Sequence, residues 1–131
     1  MSGQLLHGEI TKTIIGVFYE VHWELGFGFL ESVYRRAMHY ALADIGISSK
    51  CEVPVEVYFR GRQVGNFRAD MIVESKVLVE CKASERLDPT WETQTLNYLR
   101  STDLEVALLL HFGRRADFKR LVFSAANKAR A

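Results

Sequence analysis

The apolar residues of this chain change their spacing near residue 50, and that change separates helices from strands. Before it, apolar residues recur every three or four positions, at 10, 14, 17, 18, 21 and 25. This spacing is typical of an amphipathic helix. Gly26 and Gly28 interrupt it, so we predict one helix over residues 4–24 and a second from about Phe29 to Asp44. Gly46 follows as a C-terminal cap.

After residue 50 the pattern becomes that of strands. The segment "CEVPVEVYFR" (51–60) alternates apolar and polar residues, and "QVGNFRADMIV" (63–73) returns after a turn at Arg60–Gly61–Arg62. A second turn, Glu74–Ser75–Lys76, leads into a third strand, "VLVECKA" (77–83). Successive strands joined by tight turns predict an antiparallel meander.

The remaining third of the chain predicts a helix and two further strands. Asp88–Pro89 is a strong helix start, and the helix should run to about Arg100. The nearly continuous apolar run 104–112 predicts a strand covered on both faces, and 118–124 predicts a last strand. Residues 1–3 should be frayed, and 125–131 frayed or a short helical end. The order α-α-β-β-β-α-β-β predicts an α/β fold with a mixed sheet flanked by helices, and 131 residues suit one domain.

Composition limits the functions that the chain can have. The net charge is +1, with 17 basic and 16 acidic residues, so any contact with nucleic acid must come from a local basic patch. Cys51 and Cys81 have no metal-ligand spacing, which favours reduced core cysteines. No apolar stretch approaches the length of a membrane span, and the first residues lack the features of a signal peptide. We therefore expect a cytoplasmic protein that does not contact membranes.

Two charges interrupt the third strand. Glu80 and Lys82 lie two residues apart in an otherwise apolar run, so they point to the same face. A three-residue turn at 74–76 would pair Val73 with Val77, and the same register places Asp70 directly opposite Glu80. It also places Arg68 opposite Lys82.

Facing carboxylates have two chemical uses. They share a proton, which raises a pKa, or they hold a divalent cation such as Mg²⁺, which prefers oxygen ligands. Lys82 beside such a pair would hold an attacking water or neutralise charge on a phosphate. The alternative is a solvated charged face with Asp70 at a strand end. A slip of one residue would also send Asp70 to the other face.

Two helical segments carry further candidates. "GFLESVY" (28–34) places Glu31 at a helix start with Tyr34 one turn later. "QTLNY" (94–98) places Gln94 and Tyr98 on one face of the helix that starts at Pro89. Taken alone, Glu31 would be a capping or surface residue, and Gln94 with Tyr98 would be a helix surface or a core tyrosine with its hydroxyl bonded. For Phe27 and Phe29, which flank the glycine break, we expect core packing in preference to an exposed contact.

These segments resemble a known family. "GFLESVY" resembles the signature of the GxxExxY proteins, with Gly28, Glu31 and Tyr34 in its fixed positions, and the likeness extends over roughly residues 8–124. That family is similar to the PD-(D/E)XK nuclease superfamily, which implies a restriction-endonuclease-like core. Ala69 stands where the superfamily's name has proline, and Trp23 stands where a smaller polar residue is expected.

The resemblance implies a catalytic set. Mg²⁺, or Mn²⁺ as a substitute, would be bound by Asp70, Glu80, the backbone carbonyl of Cys81 and, directly or through water, Glu31. Lys82 would orient the attacking water. Two further members, Gln94 and Tyr98, would steady the site and pack beneath it.

Two functions follow from this interpretation. The first is a metal-dependent nuclease acting on DNA or RNA, in which basic side chains contact the nucleic-acid backbone without reading sequence: Arg35, Arg36, Lys50, Arg68, Arg86 and Arg100. A second copy in a homodimer or a protein partner would supply specificity. The second is a catalytically silent nuclease fold that binds nucleic acid or a protein partner.

Overall fold

The computed structural model describes residues 6–130, which form four helices and five strands. In chain order these are α1 (Gly8–Leu25), α2 (Glu31–Asp44), β1 (Ser49–Phe59), β2 (Arg62–Val73), β3 (Val77–Lys82), α3 (Thr90–Arg100), β4 (Val106–Phe112), β5 (Ala116–Val122) and α4 (Ala125–Arg130). The predicted order is therefore confirmed, and the segment expected to fray or to end in a short helix contains α4. The helix predicted over 4–24 begins at Gly8, and its residues 4 and 5, like residues 1–3 and 131, lie outside the described residues.

The strands form one mixed sheet in the order β1-β2-β3-β4-β5. All neighbouring pairs are antiparallel except β3 and β4, which run parallel. Parallel neighbours need a crossover connection, usually a helix, and α3 supplies it. The predicted meander β1-β2-β3 and the mixed sheet are both confirmed.

The two hairpin turns differ in length. The β1–β2 turn contains only Arg60 and Gly61, with φ of 50° and 76°, because Phe59 already pairs with Arg62. Left-handed φ at both residues is typical of a two-residue hairpin turn. The predicted turn at 60–62 was therefore one residue too long, because Arg62 already belongs to β2. The β2–β3 turn has the predicted three residues, 74–76, and Val73 pairs with Val77.

Helices cover both faces of the sheet. One core lies between the sheet and the pair α1 and α2, and it includes the side chains of Phe18, Tyr34, Met38, Met71, Val79 and Phe112. A smaller core lies under α3 and includes those of Ala69, Leu78, Leu99, Ala107 and Leu121. The β3 strand contributes alternate residues to the two cores, so Glu80 lies on the α3 side with Leu78.

The glycine break between α1 and α2 leaves its aromatic residues on the surface. Phe27 and Phe29 are 39% and 48% exposed, so the predicted core packing of both is wrong. The helices within residues 6–130 do not combine the length and apolar character needed to cross a membrane.

The end of α2 confirms the role of Gly46. Gly46 has φ 81°, its N–H bonds to the carbonyl of Ala43, and the N–H of Ile47 bonds to the carbonyl of Leu42. These two bonds are those of a Schellman motif, in which a left-handed glycine ends the helix.

Candidate active site

The candidate site lies where β2 and β3 separate. The ladder between these strands runs from Val73–Val77 to Met71–Val79. Within the described strands the ladder does not continue to direct pairs of Asp70 with Glu80 or of Arg68 with Lys82, as we had expected. Instead the backbone N–H of Asp70 donates to Glu80 Oε2 at 2.9 Å, and that of Cys81 donates to Asp70 Oδ2 at 2.8 Å. The two carboxylates therefore lie together as predicted, but they replace the ladder bonds.

A change of face in β1 and β2 accompanies this separation. Along β1, Cys51 packs against the core under α1 and α2, whereas Val53 packs against the core under α3. Residues two apart in a regular strand share a face. Glu52, between them, has a left-handed φ of 51°, which accounts for the switch. On β2, Met71 packs against the core under α1 and α2, whereas Ala69 packs against the core under α3. Asp70 lies between them, where β2 changes face.

Burial perturbs both carboxyl groups. The Glu80 side chain is only 3% exposed. Its burial, with a smaller contribution from the charge of Asp70, raises its pKa from 4.5 to about 8. Burial also raises the pKa of Asp70. The hydrogen bond from the N–H of Cys81 and the positive charges of Lys82 and Arg35 act in the opposite direction and lower that pKa. In the metal-free protein Glu80 is therefore mostly protonated at neutral pH.

Arg35 contributes a cation to the site. Its guanidinium lies 3.9 Å from Asp70 Oδ1 and 3.7 Å from Glu52 Oε1, and its side chain is 16% exposed. Arg35, one of the predicted contacts to the nucleic-acid backbone, lies beside the carboxylates. The other five basic candidates are exposed: Arg36, Lys50, Arg68, Arg86 and Arg100.

The α3 helix forms one wall of the site. Lys82 Nζ donates to Gln94 Oε1 at 3.4 Å. The ring of Tyr98, one turn further along the helix, stacks on Phe67 of β2 with centroids 3.7 Å apart and planes at 10°. The spacing of Gln94 and Tyr98 thus places one beside Lys82 and the other over the neighbouring strand.

The start of α2 forms the opposite wall, and Tyr34 holds it in place. Tyr34 is fully buried; its hydroxyl donates to the carbonyl of Gly26 at 2.5 Å and accepts from the N–H of Phe29 at 3.2 Å. These bonds close the loop that contains Gly28, whose φ is 113°. The loop ends at Glu31, whose Oε2 accepts the N–H of Ala83 at 3.4 Å, just past β3.

The donor set is chemically suited to a hard divalent cation. Asp70 and Glu80 each use one carboxylate oxygen for a backbone N–H. The other oxygen of each is left for a ligand, and that of Asp70, Oδ1, also lies 3.9 Å from the Arg35 guanidinium. Mg²⁺ typically takes one or two carboxylates and completes its shell with water and phosphate. Within residues 6–130, no group of three or more His, Cys, Asp and Glu side chains lies close enough together to hold a metal ion. A cation here would therefore depend on the two carboxylates.

Comparison with known proteins identifies the fold family. A model of the PD-(D/E)XK nuclease superfamily matches residues 8–121. The chain belongs to the PD-(D/E)XK nuclease superfamily. Among solved structures, the crystal structure of SSO0001 aligns with a TM-score of 0.56 and 19% sequence identity, over 93% of this chain and 62% of that one. This likeness shows the fold alone, and the chain spans about three fifths of the length of that protein. A search of curated proteins found no match.

Three residues around the candidate site, His111, Ser84 and Gly113, carry no clear signal in the sequence. His111 pairs with Lys82 across the parallel strands, and its Nε2 lies 3.0 Å from the Ser84 carbonyl oxygen and 3.2 Å from Ser84 Oγ. A Cβ on Gly113 would lie 2.6 Å from Cε1 of that ring. The one signal in the sequence was a single histidine inside the apolar run 104–112.

Proposed function

We propose that this chain is a metal-dependent nuclease that hydrolyses phosphodiester bonds of DNA or RNA. The observation that carries the proposal is the adjacent pair Asp70 and Glu80, the first partly buried and the second buried, where two strands separate, with Lys82 on the same strand face as Glu80. Burial of Glu80, with a smaller contribution from the charge of the adjacent Asp70, disfavours its ionised form and raises its pKa to about 8. A divalent cation would favour the ionised form, and superfamily membership is consistent with this use.

Asp70 and Glu80 would hold the Mg²⁺ or Mn²⁺ through the oxygens that do not accept backbone N–H groups. The backbone carbonyl of Cys81 and, directly or through water, Glu31 would complete the protein ligands. When bound, the cation would supply positive charge to a phosphate and favour ionisation of a water. Glu80 must lose its proton to bind, so metal affinity should increase with pH up to about 8.

The protein's own groups would orient and stabilise the reactants. Lys82 would hold the attacking water and offset negative charge that develops on the phosphate. Gln94 accepts a hydrogen bond from Lys82 Nζ, which would fix the direction of that ammonium. Tyr98, stacked on Phe67, would support the wall from which Gln94 projects. Arg35 would hold Asp70 ionised at the site.

Two finer assignments belong to this proposal. We assign the chain to the GxxExxY group within the superfamily, on Gly28, Glu31 and Tyr34. Contacts to the nucleic-acid backbone would come from exposed basic residues, with a second copy or a protein partner supplying specificity: Arg36, Lys50, Arg68, Arg86 and Arg100.

A cleavage assay tests the nuclease directly. The purified chain should cut single-stranded, duplex or structured DNA or RNA in the presence of Mg²⁺ or Mn²⁺. Lys82→Met should reduce the rate by about 10²- to 10⁴-fold, the range usual for a group that assists proton transfer. Lys76→Met, on the exposed β2–β3 turn, is the matched control and should cut like the wild type. Equal rates for the two variants would contradict the assignment of Lys82.

A second candidate function is a catalytically silent nuclease fold that binds nucleic acid or a protein partner. The position of Arg35 favours it, because a guanidinium 3.9 Å from Asp70 already offsets part of the carboxylate charge without a metal. Heat denaturation with and without Mg²⁺ or Mn²⁺ separates the two functions. Stabilisation that disappears in Asp70→Ala supports the metal site, and no stabilisation at millimolar metal supports the silent module.

A further inference from the structure

We propose that a cavity between α3, β4 and β5 binds an arginine side chain of a partner protein. The cavity has a volume of about 320 Å³, and its lining includes Asp88, Trp91, Glu92, Leu109, His111 and Asp117. This volume is at the lower end of the range for binding pockets. The proposal does not rest on nuclease activity, because His111 alone of these residues borders the candidate site and none of them is assigned a role in cleavage.

The cavity and the candidate site lie on the same face of the sheet, on opposite sides of α3. Gln94 and Tyr98 extend from α3 toward β3 and β2, where they contact Lys82 and Phe67. Trp91 extends toward β4, where its ring lies 5.3 Å from that of His111. Since His111 pairs with Lys82, a partner bound in the cavity would sit one strand away from the site.

The charges at the cavity favour a cation. Its lining contains three carboxylates, Asp88, Glu92 and Asp117, and one ammonium, Lys119. Lys119 lies 3.5 Å from Glu92, and both side chains are substantially exposed, so this ion pair is weak and leaves the carboxylates in excess. The N–H and hydroxyl of Thr90 bond to Asp88 and lower the pKa of its carboxyl group, which keeps it ionised. A phosphate group would be repelled here.

The hydrogen-bonding groups favour a ligand that only donates. The three carboxylates are acceptors. His111 also lines the cavity, and its Nε2 donates to the carbonyl oxygen of Ser84. Guanidinium carries five N–H donors and no acceptor, and its flat face stacks on aromatic rings, of which tryptophan gives the strongest cation–π contact. Trp91 is the aromatic residue placed for that contact.

The experiment uses the chain's two tryptophans. In a Trp23→Phe background, Trp91 is the only tryptophan, and its indole NMR signal and fluorescence report on the cavity. Trp23 is 87% exposed on α1, so its replacement leaves the cavity unchanged. The probes are a capped Gly-Arg-Gly peptide and its citrulline analogue, which has a similar shape but no charge. The arginine peptide should saturate the Trp91 signal, more weakly as salt rises, and the citrulline peptide should not.

Variants then test the charges. Replacing both Glu92 and Asp117 by their amides should weaken binding of the arginine peptide roughly two- to thirtyfold, from the usual worth of exposed ion pairs. Glu24→Gln, an exposed carboxylate on α1, should bind like the parent. Equal binding of both peptides, no effect of the double variant, or no response to arginine would each overturn the proposal. Saturation by adenosine or cytidine without a response to arginine would also overturn it and indicate a nucleobase pocket.

Discussion

Replacing Glu80 by Gln should change the pH dependence of stability more than any other single substitution at the site. The amide has the shape of the protonated acid, and its carbonyl oxygen can still accept the N–H of Asp70 that Glu80 Oε2 accepts now. It carries no charge at any pH. The difference between wild type and Glu80→Gln therefore isolates the cost of ionising Glu80 in its buried position.

The sign and size of that difference follow from the pKa of Glu80, about 8 in the fold against the ordinary 4.5. Below pH 4.5 the side chain is protonated in both folded and unfolded chains, so it contributes no pH dependence. Between 4.5 and about 8 only the folded chain keeps the proton, so the free energy of unfolding falls by about 1.4 kcal/mol per pH unit. The loss is complete above about 8 and amounts to at most roughly 4–5 kcal/mol.

Chemical denaturation of both proteins across this pH range, in buffer with a chelator, measures the difference. Glu80→Gln should match the wild type near pH 4 and exceed it by several kcal/mol above pH 8. Adding Mg²⁺ at the higher pH should narrow the gap, because the ion stabilises the ionised wild type alone. Glu24→Gln controls for the substitution itself. A gap that stays constant with pH would refute a buried, proton-holding Glu80.

Substitutions at four positions test separate parts of the structure. Asp70→Asn should abolish the stabilisation by Mg²⁺ seen in heat denaturation. Gly113→Ala should cost about 1–3 kcal/mol in denaturant titrations, because its Cβ would meet His111 at 2.6 Å. Gly16→Ala, in α1 with open space around it, should instead gain about 0.5–1 kcal/mol. Glu52→Gly should be more stable than Glu52→Ala by about 1–2 kcal/mol, because only glycine adopts a φ of 51° without strain.

The fold and the central pair of the site were predictable because they depend on local rules. The period of the apolar residues specified the elements, and the three-residue turn at 74–76 specified the register that brings Asp70 to Glu80. The departure from the ladder was not predictable. It is accompanied by the left-handed Glu52, and glutamate carries no local signal for that conformation. The position of Arg35 beside the carboxylates was not predictable for a related reason, since Arg35 lies on α2 and its partners Glu52 and Asp70 lie on β1 and β2.

The bonds at the site decide which variants report on chemistry. Asp70 and Glu80 accept the backbone N–H groups that the ladder would otherwise pair, and a buried N–H without a partner is costly. Truncating either carboxylate therefore removes a structural bond together with a metal ligand, and lost activity would not separate the two roles. Lys82 and Gln94 share one bond of 3.4 Å on the exposed side of the site. Their replacement leaves the strands joined as before, so a loss of cleavage in those variants would report on catalysis.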